Sequence, residues 1–493
     1  MSQTGIRLHD TRSGALTALV PREPNVVRMY TCGPTVYNYT HIGHLRPALV
    51  GDVLARLLRY RGYRVLWVSN FTDVDDRIIA RANEEGITPK EFAGRYINDY
   101  LESMEALGIR GVECYARVTD HIPDIVAMVQ RLVERGYAYS IEGDVYFAVE
   151  DKSDYGKLSG RTLGEMQAGA RVAVDVRKRH PMDFALWKAA KPGEPAWASP
   201  WGPGRPGWHI ECSAMSLRYL GDRFDIHGGG DDLIFPHHEN EIAQSEAYTG
   251  SEPFVQIWLH NAMVQVGHEK MSKSLGNFVR LSELVRRYPA GALRQFVLST
   301  HYRKPLQYSA DAMQEAQRSW SRLVEARAAW REALAGPGAP PEANATNDGA
   351  GGLVALAKRA AEGFEAALAD DLNTSEAFGY LFELVRTGNR AMASGRGREL
   401  GPALAALESC GDLLGLWQDA AVSSGGRRED SSRGLVELLI ELRAEARRYR
   451  DWATADRIRD GMAGLGIALE DTPQGTRWKW LSESVSASGA DGA

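Results

Sequence analysis

The chain has 493 residues, 44% of them hydrophobic and 25% charged, with a net charge of −6. That size points to roughly three domains with substantial cores, and the charge argues against a protein coated in nucleic acid, while leaving room for RNA on a local basic surface. The polar start MSQTGIRLHD and the lack of any run of about 18 apolar residues lead us to expect neither a signal peptide nor a membrane span, and hence a cytoplasmic protein.

The N-terminal part alternates strand and helix signals. Residues 26–32 (VVRMYTC) read as a strand ended by Gly33-Pro34, and a helix-like stretch follows from His41 to Arg61. A second strand, Tyr63 to Ser69, leads into Asn70-Phe71-Thr72-Asp73 and a helix rich in Arg and Glu. This βαβ rhythm predicts a Rossmann-like α/β domain with a parallel sheet covered on both faces, over 20–120 and 200–275. Residues 121–199 break the rhythm and read as a connective insertion. Strand signals return at Phe224–His227 and Phe254–His260, and after Lys270 the chain reads as helical. We divide that half into a stem-contact region (276–320), a helical bundle (321–420), a small module (435–481) and a disordered tail (482–493), with loose linkers at 336–352 and 422–434.

Thr40-His41-Ile42-Gly43-His44 follows a strand and a Gly-Pro turn. A helix starting there would be capped by the Thr40 hydroxyl, with His41 and His44 on one face near its positive end, a setting for phosphate. Gly43 would let a nucleotide approach. Imidazoles there can donate hydrogen bonds as charge builds in a transition state. By itself the string describes an ordinary helix start equally well. Lys270-Met271-Ser272-Lys273-Ser274 suits a clamp on triphosphate, although a solvated basic loop reads the same. Together the two strings resemble the HIGH and KMSKS signatures of class I aminoacyl-tRNA synthetases, and both match without a substitution. That resemblance implies ATP at the carboxyl ends of the strands, held by His41, His44, Lys270, Ser272 and Lys273, with Gly228 and Asp232 of the Gly228–Asp232 strand end beside ribose or adenine.

Four cysteines, Cys32, Cys114, Cys212 and Cys410, are too scattered for a disulfide framework. Cys32 ends the first strand, Cys212 lies in PGWHIECSAM, and His237 and Glu241 share a helix face in PHHENE. Two thiolates, an imidazole and a carboxylate suit Zn²⁺. His238 with Glu239, or His209, fit the same roles, and two buried cysteines beside a polar helix start would look alike. Cys114 and Cys410 read as packing residues.

MYTCGPTVYNYTHIGH, NFTDVDDRII, PGWHIECSAM, GGGDDLIFPHHENEIAQSEA and KMSKSLGNF resemble successive blocks of the cysteinyl-tRNA synthetases, in order over most of the first 280 residues. The resemblance implies one zinc held by Cys32, Cys212, His237 and Glu241 and bound by the substrate thiolate. It places Thr72 and Trp208 beside the amino acid and implies ATP with Mg²⁺, L-cysteine and tRNA(Cys) as partners of a monomer. Shape discriminates cysteine from serine poorly, whereas a thiol is readily deprotonated on zinc. In the C-terminal module, Leu435, Leu438, Leu439, Leu442, Ala446 and Tyr449 recur at helical spacing and read as core. Arg443, Arg447, Arg448 and Arg450 cluster nearby, favouring phosphate contact over a solvated face. The segment ending Arg477-Trp478 resembles the family's anticodon-binding end, where bases are read by stacking and edge hydrogen bonds. Two rivals remain: a related ligase passing cysteine to an amino sugar, as in mycothiol synthesis, and a catalytically silent RNA-binding protein.

Overall fold

The strand and helix signals of the first half assemble into a central parallel sheet, seen in a computed structural model that describes residues 5–168, 175–266, 269–270, 279–335, 350–418, 439–440, 442–448, 451–464, 467–472 and 475–480. The chain forms two units, Met1–Gln418 and Asp419–Ala493. In the first, a hairpin of β1 (Arg7–Asp10) and β2 (Ala15–Ala18) precedes β3 (Val26–Thr31), α1 (Ile42–Tyr60), β4 (Arg64–Phe71), α2 (Asp76–Glu85), α3 (Pro89–Ala106) and β5 (Cys114–Arg117). Then come α4 (Ile122–Glu134), β6 (Ala138–Ile141), β7 (Asp144–Phe147), α5 (Leu163–Ala168), β8 (Phe184–Ala189) and β9 (Gly204–Pro206). The chain returns to the central layer with α6 (Trp208–Leu220), β10 (Phe224–Gly230), α7 (Glu239–Thr249) and β11 (Val255–Asn261).

The sheet order is β11-β10-β3-β4-β5, and every neighbouring pair is parallel. Strand order therefore reverses between β3 and β10, which opens a crevice beyond their carboxyl ends. Period-two alternation sends successive side chains to opposite faces. Val27, Met29, Val65, Trp67 and Ile226 pack in one core with Leu45, Leu49 and Val53 of α1. Tyr30, Val68, Phe224 and Trp258 pack in another with Ile210 and Met215 of α6 and Ile242 of α7. Both faces are covered, which is why these strands read as near-continuous apolar runs.

Between β5 and α6 the chain builds a separate antiparallel sheet, β6-β7-β8-β9. Its last strand lies beyond residue 199, where the sequence reading ends the insertion. After β11 come β12 (Val264–Val266), β13 (Glu269–Lys270), α8 (Leu281–Arg287), α9 (Ala290–Leu298) and β14 (Leu306–Tyr308). Helices α10 (Ala310–Ala335), α11 (Ala350–Ala369), α12 (Thr374–Ala393) and α13 (Gly401–Leu414) form the helical region. The expected linker at 422–434, most of that at 336–352 and the tail at 482–493 lie outside the described residues.

In the second unit, helical residues near 440 and a helix Trp452–Gly464 accompany a hairpin of β15 (Ile467–Thr472) and β16 (Gly475–Trp480). Leu439, Ile440, Ile458, Met462, Ile467 and Leu469 form its core. The expected core position Leu442 is instead 45% exposed, and Arg443, expected at a phosphate-facing surface, is buried. Leu439 and Ala446 of the same pattern do face inward, so the departure is at the adjacent positions 442 and 443. Leu435, Leu438, Tyr449 and Arg450 lie outside the described residues. Among the described residues no helix is long and apolar enough to cross a membrane.

A buried ion pair ties α1 to the helical region. Arg294 of α9 meets Asp52 of α1, and also donates to the carbonyls of Leu414 (2.7 Å) and Leu107 (3.1 Å). Removing one member of such a pair strands a charge away from water. Asp52→Asn is expected to destabilise the protein by about 3–5 kcal/mol, lowering its urea midpoint; a midpoint equal to the parent's would contradict this reading.

Candidate metal centre and nucleotide pocket

Cys32 leaves β3 at the crevice, and its amide donates to the Gly228 carbonyl at 3.1 Å. The next residue must be glycine: a Cβ on Gly33 would stand 1.6 Å from the Asn70 carbonyl oxygen at the end of β4. Cys212 comes from the first turns of α6, His237 from the turn before α7, and Glu241 from α7 itself. The Cys32 sulfur lies 3.7 Å from that of Cys212 and 3.4 Å from Glu241 Oε1, and His237 Nε2 lies 3.1 Å from the same Oε1. The four donor atoms all fall within 4.8 Å of one another.

A second group, Cys32, His227, His238 and Glu241, satisfies the same distance criterion. Its imidazoles reach the same Cys32 and Glu241. His227 Nε2 meets Glu241 Oε2 at 2.9 Å, and His238 joins Cys32 (3.3 Å) to His260 (2.7 Å), whose other nitrogen meets Thr11 Oγ1 (2.7 Å). They read as outer partners that orient Cys32 and Glu241. Of the other candidates left open by sequence, His209 adjoins the cluster and Glu239 does not. His209 Nδ1 faces His237 Nδ1 at 3.0 Å. Glu239 points away from the cluster and accepts the amides of Gly156, Leu158 and Ser159 from the inserted region.

The electrostatics favour a cation. Burial and the neighbouring Cys212 push the Cys32 thiol well up. The hydrogen bond from Cys32 pulls Cys212 down to about 6. The two sulfurs in effect share one charge. Burial alone would lower His237, but Cys212 and Glu241 overcome it and raise it to about 10. Two sulfurs and a carboxylate in a buried site are an acid-rich donor set. Sulfur, nitrogen and oxygen ligands in these numbers fit Zn²⁺, which would let both thiols ionise.

Beside this cluster lies a cavity of about 450 Å³, whose wall includes Cys32, Cys212, His237, Thr72 and Trp208 together with His41, Gly43, His44 and Asp232. The Trp208 ring stacks on His237, with centroids 4.3 Å apart, and stays 38% exposed. Thr72 Oγ1 donates to the buried Glu211 carboxylate at 2.7 Å. Glu211 had no role in the sequence reading, because only folding brings it 139 residues back to Thr72. Gly228 lies inside the sheet ladder, paired with Thr31 and Leu259; Gly230, where β10 ends, reaches the cavity wall instead.

The helix α1 begins differently from expectation. Thr40 is buried and its amide donates to Asp99 (2.7 Å), so the N-cap is His41. His41 Nδ1 accepts from the Gly43 amide (3.0 Å), and His44 Nδ1 accepts from the His41 amide (3.3 Å). This is a reciprocal capping box made of imidazoles. Since each Nδ1 is an acceptor, each ring carries its proton on Nε2. Burial lowers His41 to about 4, and burial with the His41 charge holds His44 well below the ordinary histidine range. Both rings are therefore neutral donors at physiological pH.

Lys270 ends β13 with its backbone paired to Gln265. Ser272, Lys273 and the rest of that string lie outside the described residues. Arg477 and Trp478 stand opposite Glu470 and Leu469 in the β15–β16 hairpin. Arg447 and Arg448 are exposed, and Arg448 lies 3.6 Å from Glu445. Cys114 and Cys410 pack in separate cores.

Residues 18–318 match the family of class I (C) tRNA synthetase catalytic domains, and residues 363–418 match the DALR domain. A cysteine–tRNA ligase of Pelotomaculum thermopropionicum is 52% identical, covering 93% of this chain and 96% of the relative. One from Heliobacterium modesticaldum is 50% identical, covering 96% and 99%. Among solved structures, the Mycobacterium tuberculosis methionyl-tRNA synthetase in complex with methionyl-adenylate superposes with a TM-score of 0.61 over 82% of this chain and 92% of that one, at 16% identity, a likeness of fold.

The donor set makes a direct prediction. Dialysed protein should retain about one Zn²⁺ per chain, and Cys212→Ala should lose it while staying folded by circular dichroism. Equal zinc content in both proteins would remove Cys212 from the site.

Proposed function

The chain belongs to the cysteine–tRNA ligase family of class I aminoacyl-tRNA synthetases, and from that membership we infer how its residues divide the work. It is an enzyme that activates L-cysteine with ATP, giving cysteinyl-adenylate and pyrophosphate, and transfers cysteine to tRNA. The observation that carries the assignment of roles is the cluster of Cys32, Cys212, His237 and Glu241, the first three of which line the same cavity as the His41–His44 helix start.

Cysteine lies at the Cys32 end. Cys32, Cys212, His237 and Glu241 would hold zinc, which would favour a thiolate over the far less acidic serine hydroxyl. Selection thus happens at binding, where a size difference of one atom would discriminate weakly. Trp208 flanks the amino acid, and Thr72, its hydroxyl committed to Glu211, faces it from the other wall.

ATP lies at the α1 end. The cysteine carboxylate attacks the α-phosphorus, the bond to the β-phosphate oxygen breaks, and pyrophosphate leaves. His41 and His44 donate from Nε2 to phosphoryl oxygens as charge builds, as neutral groups that need no proton from solvent. Asp232 stands on the ribose side. Lys270, Ser272 and Lys273 act on the triphosphate, which Mg²⁺ accompanies as counterion. The chemistry is positioning and charge stabilisation with no covalent enzyme intermediate. The terminal adenosine hydroxyl of tRNA(Cys) then attacks the activated carbonyl and AMP leaves. Arg447, Arg448, Arg477 and Trp478 contact the tRNA, supported by the exposure of the first two and by the stacking that single-stranded bases seek. We place the enzyme in the cytoplasm as a monomer, following its family. Neither the amino-sugar ligase nor the silent RNA-binding reading gains support, since relatives matched over nearly their full length are cysteine–tRNA ligases.

Purified tRNA should be charged with labelled cysteine and not with serine. His44→Asn should lower cysteine-dependent ATP–pyrophosphate exchange by roughly 100- to 1,000-fold, the effect of losing one transition-state donor. Because both rings stay neutral well below the ordinary histidine range, that exchange should not fall through pH 6.5 on account of these residues; a His44→Asn variant with parental kcat would refute the donor role.

A further inference from the structure

We propose that Arg46 is a positioning residue for the ATP-dependent step, fixing from inside α1 the wall of the nucleotide pocket formed after β11 and the loop that precedes β14. The proposal rests on the pocket being the site of adenylate formation.

Arg46 stands two residues past His44 and is 1% exposed. Its guanidinium is shared among carbonyls of two remote segments. Nη1 donates to Ala262 (3.0 Å) and Met263 (3.3 Å), and Nη2 donates to His301 (2.9 Å) and Lys304. Burying a cation among carbonyls costs several kcal/mol before any return. An apolar side chain would serve simple packing beside Val50, Val53, Val297 and Leu298, which line the same small cavity. What an apolar residue lacks is a planar fork that holds two backbone segments at a fixed separation, a task that lysine also performs poorly.

The segments so held belong to the nucleotide half of the site. Asn261, Met263 and Val264 line the pocket. Val264 begins β12, which pairs with β13 up to Lys270 and, on its other side, with β14. Lys304 leads directly into β14. Arg46 therefore grips both strands where they begin, and it does so from the helix whose first turn holds His41 and His44. Backbone bonds Ala262 N to Tyr302 O (2.9 Å) and Leu306 N to Met263 O (3.1 Å) staple the same two segments. A displacement of α1 against this frame would separate the imidazoles from the strand that ends at Lys270.

A comparison residue lies on the far side of the loop. Asp371, with φ of 60° in the turn between α11 and α12, accepts from Tyr302 Oη (2.5 Å) and Arg303 Nε (2.7 Å). It holds the loop to the helical region and makes no hydrogen bond to residues 262–263.

The test is steady-state ATP–pyrophosphate exchange with Arg46→Lys, Arg46→Gln and Asp371→Asn, run beside calorimetric titration of cysteine into each zinc-loaded protein. We expect kcat/KM for ATP to fall roughly 100-fold in the Arg46 variants, the scale of an ångström's misplacement, with cysteine affinity unchanged. Asp371→Asn should lower the melting temperature and leave the ATP parameters as in the parent. Parental ATP parameters in Arg46→Lys and Arg46→Gln would overturn the proposal. So would loss of cysteine binding in step with ATP, unfolding of both Arg46 variants, or an equal ATP defect in Asp371→Asn, since each marks Arg46 as ordinary core. Absence of cysteine-dependent exchange in the parent protein would instead defeat the functional reading on which the proposal stands.

Discussion

Two thiol sulfurs 3.7 Å apart, beside a carboxylate oxygen 3.4 Å from one of them, form an acidic cluster that burial makes expensive to ionise. Most of the first unit serves to bring these groups together. The reversal of strand order places Cys32 at the crevice, Gly33 lets it lie against β4, and α6 and α7 deliver the remaining ligands. An outer layer fixes their orientation. His227 holds Glu241, His238 reaches Cys32 and is itself held by His260, and His209 meets His237. The inserted region contributes as well: three of its amides hold Glu239 in the first turn of α7 and so brace the helix that carries Glu241.

The same cavity divides into halves of different chemistry. Around Cys32 and Cys212, acidic donors gather, and the proposed metal there would select on the softness and acidity of a thiol. At the α1 end, burial keeps two imidazoles neutral and their capping bonds aim both ring protons outward from Nδ1 to Nε2. The helix start is thus rigid before any nucleotide arrives, which suits groups whose work is to meet charge as it develops. Arg46 extends that rigidity to the strands leading to Lys270.

The parallel sheet was legible because it depends on local pattern, apolar runs between glycines; of the two nucleotide strings, the first sits at a helix start after a strand as expected, and Ser272 and Lys273 of the second lie outside the described residues. The four candidate metal donors were legible as residue types, but nothing in their spacing chose His237 over His238 or His209. Their coming within 4.8 Å of one another is a fact of tertiary packing. Glu211 was invisible as a partner of Thr72 for the same reason. The Thr40 cap failed because the helix starts at Ile42 and the His41 ring takes the capping bond, while the Thr40 amide is held by Asp99 of α3. Leu442 failed because packing turns Leu439, Arg443 and Ala446 inward and leaves Leu442 outward, a choice that leucine spacing alone does not make.

The central claim is that cysteine is chosen through its sulfur at a metal held by Cys32, Cys212, His237 and Glu241. Absorption spectroscopy of the Co²⁺-substituted protein addresses it most directly. Added L-cysteine should strengthen the near-ultraviolet sulfur-to-cobalt charge-transfer band, and L-serine should leave the spectrum unchanged. A spectrum indifferent to cysteine, or one that responds equally to serine, would contradict the account.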